Sequence, residues 1–108
     1  MPEAGNLRHT ISVRVPPEGG AGALNVPTSE WPELFCCRAS VRPIRGRELW
    51  AAEQAQSLIN YRIVLRWRDG ISVGMRVMME KRSFAIRYVI DVEERHHWMQ
   101  LMCEEVQT

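Results

Sequence analysis

The residues that could bind a metal ion or act as nucleophiles in this 108-residue sequence include three cysteines and three histidines. Cys36 is followed directly by Cys37, and His96 is followed directly by His97. Zinc ligands normally come from spaced pairs, because they must converge from one turn or one helix face. Adjacent residues of a strand point to opposite faces of a sheet, so neither pair can chelate an ion from regular strand geometry. We therefore predict no metal site.

The other reactive groups also lack the spacing of a catalytic centre. Residues 19–22 are rich in glycine, but they are not followed by a helix that carries a lysine, as a phosphate-binding loop would be. The carboxylates of residues 93–94 and 104–105 are neighbours in sequence only, and on strands they diverge. No serine-hydrolase or metalloprotease motif is present. We predict that the protein is not an enzyme, with no catalytic residue and no cofactor.

Basic and acidic side chains are nearly balanced. There are 14 basic and 13 acidic residues, for a net charge of +1, and Lys81 is the only lysine. Arginine is favoured at protein interfaces. Arg62, Arg66 and Arg68 could also track a nucleic-acid backbone, but stacking needs exposed aromatic residues, and those in this pattern fall on the opposite, apolar face. A small nucleic-acid-binding β-barrel is the alternative to an interaction module.

Alternation of apolar and polar residues with a period of two predicts six strands. In the third of these strands, odd positions such as Ile63 and Leu65 form an apolar face, and Arg62 and Arg66 lie on the solvent-facing side. The six segments are residues 7–15, 35–43, 59–67, 75–79, 83–92 and 97–105. Short turns join the last four, and we expect an antiparallel meander. No stretch has the length of a transmembrane span, and no signal peptide is expected at the N-terminus.

The last two predicted strands contain many large apolar side chains. The even positions of residues 83–92 predict that Phe84, Ile86, Tyr88 and Ile90 face the core, together with Val92. In the last strand one face holds the apolar residues Met99, Leu101 and Cys103. The other face of that strand holds Trp98 and Met102. We expect this strand to be covered on both sides or to pack against another subunit.

Two segments depart from the strand pattern. Residues 16–32 form a long loop rich in proline and glycine, which we expect to be mobile until assembly. Residues 47–56 consist of good helix formers without a β-branched side chain, which predicts one short helix. The expected fold is a single domain, residues 1–108, mainly β. It is a small, strongly bent, antiparallel six-stranded sheet or partly open β-barrel with this helix and this loop.

The ordered set of these segments resembles the phage head–tail joining family, the head-closure or "stopper" neck proteins of tailed phages and gene transfer agents. The resemblance runs through nearly the whole chain. It rests on residues 7–11, Trp31, Ala39 with Val41, residues 46–52 (GRELWAA), Gln54, residues 62–68, Gly70-Ile71, residues 75–77, 84–86, 89–91, 94–95 and 101–104. The loop at residues 16–27 is unlike the usual polar loop of the family. The matching motifs are structural, and they carry over no catalytic position.

The resemblance implies a virion structural protein of the neck. Copies of the chain, six or twelve in such necks, would form a ring below the portal or adaptor ring and above the tail terminator or tail tube. The ring would close the DNA-filled head and dock the tail, and packaged DNA would pass through without specific binding. No membrane is involved. The protein would reside in the virion, and in the host cytoplasm before assembly.

A ring subunit needs surfaces that contact its neighbours. Tryptophan and arginine are the residues most enriched at the centres of interfaces. The expected contact residues are Trp31, Arg45, Arg47, Glu48, Trp50 and Trp98.

Overall fold

The structure is a computed structural model that describes residues 7–18, 25–44 and 59–106. The described chain is mainly β, as predicted. Its six strands are β1 (His9–Arg14), β2 (Glu33–Pro43), β3 (Tyr61–Arg66), β4 (Arg76–Met79), β5 (Arg82–Asp91) and β6 (Trp98–Val106). Two 3-10 turns, Thr28–Glu30 and Val92–Glu94, are the helical segments within these ranges. The helix predicted over residues 47–56 lies outside the described residues.

The strands close into a barrel in the order β1-β2-β3-β6-β5-β4, and all neighbouring pairs are antiparallel. The barrel is thus closed, where the sequence left open a bent sheet or a partly open barrel. Closure pairs every strand on both sides along at least part of its length. It also removes most of the free backbone edge that a six-stranded open sheet would expose.

The predicted meander of the last four strands is wrong at its first step. β3 pairs with β6, from Tyr61 opposite Cys103 to Arg66 opposite Trp98. β4 lies between β1 and β5 instead. Residues 67–75 form the connection from β3 to β4, and they cross one end of the barrel because the two strands are not neighbours. Within residues 59–106, hairpins join β4 to β5 and β5 to β6.

The barrel interior is filled by the predicted alternating side chains. The core residues are Ile11, Val13, Ala39, Ile63, Leu65, Val77, Met79, Phe84, Ile86, Met99, Leu101 and Cys103. The odd positions of β3 and β6 face inward as the alternation predicts. Such a packed interior leaves no passage through the barrel itself.

We name the two ends of the barrel by their connections. The loop end is formed by residues 67–75 and 91–97, and the hairpin end by the two-residue turn Glu80-Lys81 between β4 and β5. At the loop end, Ile71 and Met75 pack against the core and cover it. Gly74 donates its N–H to the carbonyl of Ile86 at 3.4 Å and has a φ of 100°, a backbone conformation that favours glycine.

An ion pair fastens the hairpin end. Arg82 donates from Nε to Oε2 of Glu105 at 2.8 Å and from Nη2 to Oε1 at 3.1 Å. Nη2 also donates to the Tyr61 hydroxyl at 2.8 Å, so one guanidinium joins β5, β6 and β3. This hydrogen bonding from Arg82 lowers the pKa of Glu105 from its ordinary value of 4.5, against an opposing effect of partial burial.

The lowered pKa of Glu105 predicts a contribution to the acid sensitivity of the fold. A carboxylate whose pKa is lower in the folded than in the unfolded chain stabilises the fold above its unfolded pKa. This stabilisation disappears as the pH falls through the folded pKa. We expect Glu105→Gln to lower the free energy of unfolding by about 1 kcal/mol or less at pH 7, since the pair is partly exposed. The difference from the unmodified protein should shrink below pH 4.5.

Urea unfolding of both proteins from pH 7 to pH 2 measures this difference. Glu18→Gln, at an exposed position, is the control and should change neither the stability nor its pH dependence. A difference for Glu105→Gln that stays constant across this range would contradict the assigned role.

Candidate assembly interface

The predicted contact residues fall into two groups. Arg45, Arg47, Glu48 and Trp50 lie outside the described residues. Trp31 and Trp98 are described, and they lie in different surroundings. Both residues nevertheless lie near the loop end of the barrel, where β1 ends and β6 begins.

Trp31 is an anchor beneath a loop. Its side chain is 1% exposed, and its Nε1 donates to the carbonyl of Val26 at 3.0 Å. The guanidinium of Arg76 lies 4.5 Å from the ring centroid and donates from Nη1 to the buried hydroxyl of Thr28 at 2.9 Å. Arg14 donates to the carbonyl of Trp31 at 3.1 Å. The surface presented to a neighbour here therefore consists of the residues around Trp31 and not of its ring.

This anchoring changes the expectation for the loop. Residues 25–32 pack on β1 and β4 in the single chain, and the N–H of Val15 donates to the carbonyl of Pro32 at 2.9 Å. The sequence predicts that the loop at residues 16–32 orders only on assembly; for residues 25–32 these contacts within one chain favour an ordered segment before assembly. The sequence showed the proline and glycine residues but gave no sign that two arginines from separate strands would hold the tryptophan.

Trp98 lies on the outside of the barrel and is half-buried. The guanidinium of Arg66, its register partner on β3, lies 5.0 Å from the ring centroid. A stacked arginine covers part of the ring and leaves the rest available for a contact. The neighbouring outward residue Met102 is also half-buried, so the second apolar face of β6 exists as predicted and is only partly covered by its own chain.

A β-bulge in β5 reverses the expected face of two apolar residues. The register of β5 against β6 shifts between Ile86, opposite Cys103, and Tyr88, opposite Met102. The extra residue turns the following side chains to the other face. Tyr88 is 41% exposed and Ile90 43%, where the period of two placed both in the core. Val89 packs against the core in their place.

The bulge also corrects the argument about aromatic residues. The sequence placed Tyr88 on the apolar face, opposite the arginine residues, whereas it stands on the outside of the barrel. Tyr88 lies opposite Met102 on β6, and Met102 lies opposite Arg62 on β3. No feature of the local sequence reports the insertion of one residue into the pairing of two long strands. The bulge follows from the positions of the strand ends, which the rest of the barrel fixes.

Acidic side chains on neighbouring strands neutralise several of the outward arginines. Arg87 forms an ion pair with Glu104 across β5 and β6. At the loop end, Arg14 lies 3.9 Å from Glu33. Ion pairs of this kind weaken attraction to a phosphate backbone, since nucleic-acid affinity comes mainly from cationic charge that is free to replace counterions.

The turn at residues 91–97 holds an unusual backbone at the loop end. Glu93, Glu94 and His96 have φ values of 59°, 55° and 56°, in the left-handed region. Both the backbone N–H of His96, at 2.9 Å, and its Nε2, at 3.1 Å, contact the carboxylate of Asp91. The His96 ring stacks on Trp67 with centroids 4.4 Å apart. These contacts offset a conformation that costs of order 1 kcal/mol per residue and project two carboxylates outward.

The cysteines lie in separate places. Cys36 is exposed on β2, Cys37 is half-buried beside the core, and Cys103 is buried. A hydrogen bond to the Glu33 carboxylate raises the pKa of Cys36, and burial raises the pKa of Cys37 and of Cys103. All three are therefore neutral thiols at pH 7.

The described ranges contain neither a metal-binding cluster nor a helix that could span a membrane. Within residues 7–18, 25–44 and 59–106, no three His, Cys, Asp or Glu side chains gather closely enough to hold a metal ion. The same part of the chain contains no helix with the length and apolar character of a membrane span.

The described chain is a closed antiparallel barrel with arginine, tryptophan and tyrosine side chains on its outer face. The family model for the phage head completion protein matches residues 2–106, and the chain belongs to this family. It is accordingly a phage structural protein that acts with other proteins of the head or tail. A comparison with curated proteins gave no significant match.

A solved structure has the same fold. The chain is similar to the solution structure of protein SF1141 from Shigella flexneri 2a, with a TM-score of 0.68 and 19% sequence identity. The alignment covers 94% of this chain and 95% of that one. At this identity the likeness establishes the barrel fold over almost the whole length of both chains and says nothing further about the role.

Proposed function

We propose that this chain is a ring-forming protein of the phage neck. Its ring lies below the portal or adaptor ring, closes the DNA-filled head and receives the tail terminator or tail tube. The observation that carries the proposal is the match of residues 2–106 to the head completion family, which leaves almost none of the chain for a separate activity. The virion is its place of action, with the host cytoplasm as its location before assembly.

The packed barrel interior supports a ring rather than a single-subunit channel. Val13, Ile63 and Leu101 are fully buried inside the barrel, where they meet side chains from the other strands. DNA cannot pass through such a core. A channel through the neck then has to be enclosed between several copies around an axis, and the family's usual six or twelve copies would supply it.

A cyclic ring needs two different surfaces on each subunit. The loop end and the outer face of β5 and β6 are two such surfaces on the described chain. One carries Glu93 and Glu94, and the other carries Trp98, Tyr88 and Ile90. We include Trp98, the anchored loop around Trp31 and the segment with Arg45, Arg47, Glu48 and Trp50 among the contacts with neighbouring subunits or rings.

The paired arginines favour this role over nucleic-acid binding. Tyr88 and Trp98 are on the side of the alternative, because aromatic rings on the outer face beside Arg62 and Arg66 could stack on bases. Ion pairs such as Arg87 with Glu104 reduce the free positive charge on the same face. A neck protein benefits from this balance, since the genome has to slide past it.

Electron microscopy of heads tests the proposal. Purified protein is added to heads assembled without it, and the portal vertex is imaged by averaging. We expect a ring with cyclic symmetry below the portal or adaptor. A protein that instead decorates free DNA, or that leaves the vertex unchanged, would overturn the assignment.

A further inference from the structure

The last five residues of β5 form an unpaired strand edge among the described residues. β4 accompanies β5 only up to Ile86, whose N–H donates to the carbonyl of Met75 at 3.1 Å and whose carbonyl accepts from Gly74. Beyond Ile86, β5 continues to Asp91 with β6 on one side only. We call residues 87–91 the β5 edge. The position alongside it, which β4 has left, holds no other strand of the described chain.

The pairing of the neighbouring strands fixes which backbone groups point to the open side. The N–H of Trp67 donates to the carbonyl of His97. The backbone N–H and C=O groups of the odd-numbered residues of β6 therefore point toward β3, and those of the even-numbered residues point toward β5. Tyr88 and Ile90 lie opposite Met102 and Gln100, so their backbone N–H and C=O groups point toward β6. The backbone N–H and C=O groups of Val89 and Asp91 point away from β6, to the open side of the strand. An edge of this kind is a template for a strand from another chain.

The side chains at the β5 edge are apolar, as an incoming strand requires. Tyr88 and Ile90 are 41% and 43% exposed on the outer face, and Val73, where the chain enters β4, is 60% exposed. Natural edges are usually protected by lysine, proline or inward-pointing charge. The centre of this one, Tyr88-Val89-Ile90, has no such residue.

We propose that the β5 edge pairs with the β5 edge of a second copy of this chain, antiparallel and around a two-fold axis at Val89. The central residues of the edge, Tyr88-Val89-Ile90, are apolar and lie opposite their own reverse in this pairing. Val89 meets Val89 of the other copy through the N–H and C=O groups that point away from β6, and Tyr88 lies beside Ile90. Arg87 and Asp91 at the two ends keep their partners within the chain, Glu104 and His96, so neither end depends on charge pairing with the second copy.

This contact goes beyond the proposed ring. A two-fold contact joins identical surfaces and closes at two copies, whereas a cyclic ring joins different ones. The dimer is thus a state of the free protein that covers an aggregation-prone edge before assembly. Two five-residue edges bury less surface than the roughly 1,200–2,000 Å² of a standard interface, and we expect a weak, concentration-dependent dimer.

Amide hydrogen exchange of the unmodified protein tests the pairing residue by residue. The N–H groups of Val89 and Asp91 should exchange about tenfold more slowly in a concentrated sample than in a dilute one. Those of Tyr88 and Ile90, directed toward β6, are the internal control and should be protected at both concentrations. Fast exchange at Val89 and Asp91 in both samples would overturn the proposal.

Sedimentation equilibrium of two matched variants supplies a second test. Ile90→Lys places a charge in the middle of the contact and should weaken the dimer about tenfold or more. Leu34→Lys is the control, because Leu34 is also 43% exposed but lies on β2, and its dimer should match that of the unmodified protein. Equal self-association of the two variants, or a monomer at every concentration, contradicts the proposal while leaving the ring on heads untouched.

Discussion

Replacing Phe84 with alanine is expected to lower the free energy of unfolding by about 3–5 kcal/mol. The Phe84 ring is fully buried in the barrel and meets Tyr61 edge-on at 5.1 Å. It also lies 5.1 Å from the guanidinium of Arg82, which holds the hairpin end together. A domain of this size has a total stability of about 5–15 kcal/mol, so the substitution removes a large part of it.

Thermal and urea unfolding followed by circular dichroism measure the effect of Phe84→Ala. The expected fall in melting temperature is about 20 °C. Tyr88→Ala is the matched control on the same strand, because that ring is 41% exposed beyond the bulge, and it should cost about 1 kcal/mol or less. Equal losses for the two variants would contradict the inward and outward directions assigned to them.

Replacing Trp31 with alanine is expected to release the loop and leave the barrel folded. The ring is 1% exposed and is held by Arg76 at 4.5 Å and by its own hydrogen bond to Val26. Truncating a buried tryptophan costs about 3–5 kcal/mol. Residues 25–32 lie on the outside of β1 and β4, so this loss falls on the attachment of the loop rather than on the core.

Limited proteolysis measures the release of the loop. Cleavage within residues 25–32 should become at least about tenfold faster in Trp31→Ala, while the far-ultraviolet circular dichroism spectrum changes little. Trp98→Ala is the control, because its half-buried ring lies on β6, which pairs with β3 and β5 and not with the strands that carry residues 25–32. An unchanged cleavage rate in Trp31→Ala would show that the tryptophan is not the anchor.

The strands were predictable because half-buried strands show a period of two. β3 and β6 have the inward residues that the alternation indicates, including Ile63, Leu65 and Leu101. The neighbours of each strand were not predictable in the same way. The connection at residues 67–75 is short enough to suggest a hairpin, but pairing is decided by which strands can close the barrel together.

The surface was less predictable than the core. Tyr88 and Ile90 look like core residues in the sequence, and only the bulge at Arg87 turns them outward. Trp31 looks like a contact residue, yet two arginines distant in sequence bury it against the barrel. In both cases the decisive interaction joins residues far apart along the chain. Local pattern alone cannot report such an interaction.

The central claim is that this chain completes the neck of a phage particle, and genome retention tests it most directly. Particles are assembled in cells that lack the protein and in the same cells supplied with it from a separate copy of the gene, and the DNA content and tails of both are measured. We expect heads without it to lose packaged DNA and to carry no tails, and the protein supplied during assembly to restore both. Particles that keep their genome and acquire tails without the protein would contradict the claim.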